Sequence, residues 1–86
     1  MDKNLAENKL AVLAIIVSEE PAAEKVNAVL HEFREFVVGR MGIPYREKGI
    51  NVISIAIDAP QDVINALSGK IGRLEGISAK TAYSNI

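Results

Sequence analysis

The chain carries few residues equipped for chemistry. His31 is its one histidine, and there is no cysteine. No thiolate nucleophile, disulfide or cysteine metal site can therefore form. A lone imidazole does not make a transition-metal site, and carboxylates alone select Mg²⁺ or Ca²⁺ weakly. No metal and no cofactor is expected. The acid pairs Glu19-Glu20 and Glu32/Glu35 are of the right type for acid–base work. Neither has a nucleophile or an orienting partner at a useful spacing, which catalysis requires. The first pair suits the positive end of a helix dipole, and the second suits an exposed helix face. His31 falls opposite its helix's apolar stripe and should face water. No catalytic residue is assigned.

Two further patterns invite a binding role. Gly69-Lys70-Ile71-Gly72 has the GXXG spacing with which some RNA-binding domains clamp a backbone. Here the glycines lie within or at the end of one helix, so close packing of that helix on a sheet explains them better. Arg40, Arg46, Lys48, Lys70 and Arg73 form the only basic grouping. Arg40 and Arg46 flank an apolar segment with Tyr45, where an anionic small ligand or an acidic partner surface would fit. Arg40, Tyr45 and Arg46 are therefore the ligand- or partner-binding candidates. The competing explanation is protection of an edge strand by charge and by Pro44.

These residues need a scaffold, and 86 residues supply one domain. A chain this short is only moderately stable alone, and oligomerisation is a common remedy. At 49% hydrophobic residues there is enough apolar surface for an interface as well as a core. The net charge of −1 offers no basic field to attract DNA, and no recognition-helix module is present. The longest apolar run, residues 10–17, is far short of the about 20 residues that span a bilayer. A polar start without a signal-type apolar region points to the cytoplasm.

Residues 1–8 read as a frayed terminus and 9–86 as the domain. Segment 9–17 is apolar on both alternating sets, and its β-branched residues favour a strand. Ser18-Glu19-Glu20-Pro21 reads as a helix start, with Pro21 in the first turn. Ala22, Val26, Val29, Leu30, Phe33 and Val37 follow at helical spacing, about four turns. Segment 36–58 reads as two antiparallel strands joined by a turn at Arg46-Glu47-Lys48-Gly49. Pro44 places the first of them at a sheet edge. Ile53, Ile55 and Ile57 suit a helix-covered face; Ile50, Val52, Ser54 and Ala56 suit another kind of cover. Asp58 and Gln61 have capping-box spacing around Pro60. Val63, Ile64, Leu67, Ile71 and Leu74 form the second stripe, and Ile77, Ala79, Thr81 and Tyr83 alternate in a last strand.

The order β-α-β-β-α-β implies two interleaved right-handed halves. The expected fold is a ferredoxin-like α+β sandwich, a four-stranded antiparallel sheet with both helices on one face. Against it, the hairpin GRMGIPYREKGINVISIAID and the later NALSGKIGRLEGISAKTAYS resemble a small family of stand-alone proteins described as regulators of the iron-only hydrogenase system. The resemblance runs from about Lys9 to Ser84, and Gly39-Arg40-Met41-Gly42-Ile43-Pro44-Tyr45-Arg46 is its most specific part. The second half also resembles ACT domains and the carboxy-terminal domain of the nickel-responsive repressor. It shares with them the strand at Ile53 to Ile57, then Leu74 and Gly76. The resemblance implies an ACT-like regulatory module that associates through its sheet or strand edges. The loop 18–21 lacks the glycine usual in amino-acid-binding ACT domains. His31 alone cannot replace the repressor's several histidines and cysteine. Neither kind of sensing transfers.

The leading expectation is a non-catalytic homo-oligomer that binds a small effector or a protein partner, without binding DNA or a membrane. The alternatives are a small RNA-binding domain or a small enzyme. The uncovered sheet face should close by two-fold pairing into a homodimer or a dimer of dimers. Val12, Ile16, Val52, Ser54 and Ala56 are expected at the contact.

Overall fold

The computed structural model describes residues 8–18 and 20–85. In chain order the elements are β1 (Asn8–Val17), α1 (Glu20–Glu32), β2 (Val37–Tyr45), β3 (Ile50–Pro60), α2 (Gln61–Gly72) and β4 (Ile77–Tyr83). Short 3-10 turns at Arg34–Phe36 and Arg46–Lys48 lead into and out of β2. The strands form one sheet in the order β2-β3-β1-β4, every neighbouring pair antiparallel. This is the ferredoxin-like arrangement that the element order implies.

Strand periodicity decides which side chains form the core. Ala11, Leu13, Ile15 and Val17 of β1 are buried, as are Ile53, Ile55, Ile57 and Ala59 of β3. Helix α1 covers them with Ala22, Val26 and Leu30, and α2 with Ile64, Leu67 and Ile71. The expected register of β3 is the observed one. No polar or charged residue is buried with this cluster among the described residues. Fold specificity therefore rests on the match between the two-residue strand period and the helical stripes.

Several local expectations need correction. Helix α1 ends at Glu32, and Val37 opens β2 instead of closing the helical stripe. Two adjacent β-branched residues, Val37 and Val38, suit an extended backbone better than a helix. Asn8 belongs to β1, paired with Pro60, so the ordered strand starts within the segment expected to fray. Residues 1–7 and Glu19, with the dipole role expected for it, lie outside the described residues. Asp58 does not cap α2. It is held extended opposite Leu10, while the N-cap is Pro60 and carries no side-chain cap bond. Gln61 turns instead to Asn65, donating from Nε2 to Oδ1 at 3.1 Å, and to the Tyr83 hydroxyl at 2.6 Å.

Close packing on the sheet does not account for the glycines of α2. A Cβ on Gly72 would meet nothing within 4 Å, and one on Gly69 would meet only the Arg73 guanidinium at 3.4 Å. Neither brings the helix closer to the sheet. Gly49, by contrast, takes a positive φ of 66° and ends the hairpin turn as expected.

Candidate functional site

The sheet presents two surfaces that the core does not use. The first is the face away from the helices. Cross-strand register aligns Ile43, Val52, Ile16 and Ser78 in one row across all four strands. The next row is Met41, Ser54, Ala14 and Lys80, and the one beyond is Gly39, Ala56, Val12 and Ala82. Tyr45 opposite Ile50 extends the face at one end. Leu10, Val12, Ile16, Met41, Ile43 and Tyr45 are all exposed here, Met41 at 59% and Ile43 at 51%. Small residues hold the middle, and large apolar ones surround them. Lys80 is the one charge within these rows; it sits on an edge strand, where its stem can carry the ammonium outward.

The second surface is a trough on the helix side, where β2 extends past the cover of α1. Only Val37 of β2 is even half-buried. A hollow of about 290 Å³ lies between the end of α1 and β2, floored by Leu30, Val37 and Ile55. Its polar rim is Asn27, His31, Arg34 and Arg40. A second hollow of about 250 Å³ continues past Arg40 toward Gly42, Pro44 and Asn51. Arg40 Nη2 donates to Asn27 Oδ1 at 3.0 Å, bridging strand and helix between the two hollows. Arg34 Nη1 donates to the His31 carbonyl at 2.9 Å, satisfying an open carbonyl near the helix C-terminus.

The sequence-expected residues divide between these surfaces. Val12, Ile16, Val52, Ser54 and Ala56 all lie on the open face, with Val12 opposite Ala56 and Ile16 opposite Val52. Tyr45 and Arg46 line one hollow of about 370 Å³ at the hairpin end, with Pro44, Gly49, Ile50 and Asn51, and Arg40 stands apart from it. Arg40 shares its side of the sheet with Ile55, Tyr45 stands on the open face, and Arg46 is in the turn. The basic grouping disperses too. Lys70 pairs with Glu32 at 3.2 Å and lies 5.7 Å from the Phe33 ring centre, tying α2 to α1. His31 is exposed as expected, but at the rim of the trough. Sequence reasoning missed Arg34 and Asn27 as neighbours of Arg40. It also missed Met41 and Ile43 on the open face, although their alternation with Arg40 and Gly42 was visible.

A family model described as "TM1266-like: Iron-only hydrogenase system regulator, putative" matches residues 9–81. The chain belongs to this family. Its likeness to the uncharacterized protein TM1266 from Thermotoga maritima extends to structure. The two are 37% identical with a TM-score of 0.86, over 90% of this chain and 98% of that one. Two more distant structures share the fold alone. A formyltetrahydrofolate deformylase from Pseudomonas putida KT2440 is 17% identical with a TM-score of 0.65, over 90% of this chain and 29% of that one. The C-terminal domain of the MgtC protein from Mycobacterium tuberculosis is 10% identical with a TM-score of 0.71, over 98% and 93%. No curated protein matches the chain. For this TM1266-like member, no helix among the described residues is long and apolar enough to cross a membrane.

Proposed function

We propose that the chain is a non-catalytic regulatory module of the iron-only hydrogenase system, acting in the cytoplasm as a homodimer closed across its open sheet face. The observation that carries this reading is the open sheet face, with exposed apolar side chains on β1 and β2, small residues at its centre and one charge, Lys80, on edge strand β4. Strands about 4.8 Å apart and about nine residues long give roughly 550 Å² of flat face per chain. Pairing two copies would cover roughly 1,100 Å² in total, above the about 1,000 Å² expected of a specific interface. The same area is at the upper end of what monomers leave exposed. Ser54, Ala56 and Ala14 at the centre would let a second sheet approach to about 10 Å. The family description supports the regulatory role, and the scattered carboxylates support a role without catalysis. A dimer of dimers is the larger assembly this arrangement allows, and a small effector or a protein partner would complete the regulation.

Sedimentation equilibrium across the micromolar range tests the assembly, with a dimer expected. A monomer throughout that range would overturn it.

A further inference from the structure

We propose that the trough between α1 and β2 binds a small organic carboxylate with a short aliphatic body, gripped by Arg40 and Arg34. This rests on the reading of the chain as a ligand-binding module, but not on its dimerisation. The chain as a whole carries a net charge of −1, yet the rim of the trough holds two guanidinium groups and His31. Among the described residues no carboxylate lines either hollow. Among the described residues neither arginine is in an ion pair.

Each guanidinium has five donors in a planar fork, and each donates one hydrogen bond here, Arg40 to Asn27 and Arg34 to the His31 carbonyl. Those bonds fix the two heads at the rim and leave most donors for an anion. Such forks match a carboxylate through paired hydrogen bonds. The floor selects further. Half-buried Val37, over the buried Leu30 and Ile55, gives an apolar base that inorganic phosphate would not use, whereas an aliphatic chain would cover it. The hollow's volume of about 290 Å³ is at the small end of ligand sites, which limits the body to a few carbons. Gly42 keeps the second hollow open, since a Cβ there would stand in empty space.

The test is a titration of the full chain with valerate, followed by backbone amide chemical shifts. Valeramide, equal in size and uncharged, and inorganic phosphate are the comparison probes. Valerate should give saturable shifts at Asn27, His31 and Arg40, with Kd in the low-millimolar range typical of so few heavy atoms. Arg40→Gln and Arg34→Gln should each weaken binding by about tenfold or more. Both residues are exposed, so both variants should keep the wild-type spectrum elsewhere. Equal shifts from valeramide, or wild-type affinity in both variants, would overturn the proposal. Tighter binding of phosphate at the same amides would overturn the choice of a carboxylate. Repeating the titration on Ala56→Arg separates the two surfaces. Retained affinity in a monomeric variant supports a site complete within one chain, and its loss would refute that.

Discussion

Ala56→Arg probes the open face at its least forgiving point. Ala56 stands on central strand β3, between Val12 of β1 and Gly39 of β2, in the row of smallest residues. Two face-to-face sheets pack about 10 Å apart, so a full arginine side chain from each copy cannot fit between them. The dimer must either separate or bury two unpaired charges. Burying an unpaired charge costs several kcal/mol even after relaxation, and two-fold symmetry doubles it. At about 1.4 kcal/mol per tenfold, roughly 5 kcal/mol in total weakens dimerisation by more than about a thousandfold. A dimer stable at micromolar concentration would then sediment as a monomer. The isolated fold should change by only about 0.5 kcal/mol, since Ala56 is half-exposed and outside the core. Apparent melting temperature will fall with loss of the partner, because association itself stabilises the fold. The informative pair is therefore sedimentation velocity and the chemical shifts of core methyl groups on Ile55 and Leu67. An unchanged dimer would refute the placement of the interface. Loss of the core methyl pattern would refute the separation of this face from the core.

The other predictions concern the fold and its charge. Ile55→Ala, at a fully buried position in the core, should cost about 2–5 kcal/mol in urea denaturation. A cost below about 1 kcal/mol would mean that Ile55 is not in the core. Gly72→Ala should stabilise by up to about 1 kcal/mol, since the residue is helical and its new methyl meets nothing. Gly49→Ala should destabilise by about 1 kcal/mol because its positive φ disfavours a side chain, and a melt in which it matches Gly72→Ala would contradict the turn geometry. The chain alone should not bind duplex DNA, given its net charge of −1, and salt-sensitive micromolar binding by fluorescence anisotropy would refute this.

What could be read from the residues depended on whether the deciding interaction was local. The four strands and two helices are set by periods of 2 and 3.6 over many residues, so errors at single positions average out. Ile53, Ile55 and Ile57 declared the buried face of β3 because the alternate set beside them, Ser54 and Ala56, is small. Ends of elements failed for the opposite reason. Val37 continues the helical stripe numerically, yet it pairs with Ile57, a partner twenty residues away that a local pattern does not contain. The capping spacing of Asp58 and Gln61 was real, but the ladder between β1 and β3 runs on to Pro60 and holds Asp58 extended. A tertiary pairing thus overrode a cap of about 1 kcal/mol.

The binding residues show the same limit in sharper form. Arg40, Tyr45 and Arg46 are close along the chain, and proximity in sequence suggested a common site. In a strand, an odd separation places two side chains on opposite faces, and Arg40 and Tyr45 are five apart. That step needs only the strand period, so the separation of Arg40 from Tyr45 is legible in the sequence. The partners of Arg40 were not legible. Asn27 and Arg34 come from α1 and the turn after it, and they meet Arg40 only because α1 lies across the sheet toward β2. The edge position of β2 then decides the rest. A strand with a single neighbour, half-buried only at Val37, keeps most of both its faces available. One face continues the apolar rows of Ile43 and Met41, and the other completes a cationic trough. Alternation along one nine-residue strand thus supplies two surfaces of opposite chemistry, one suited to a second copy of the chain and one to an anion.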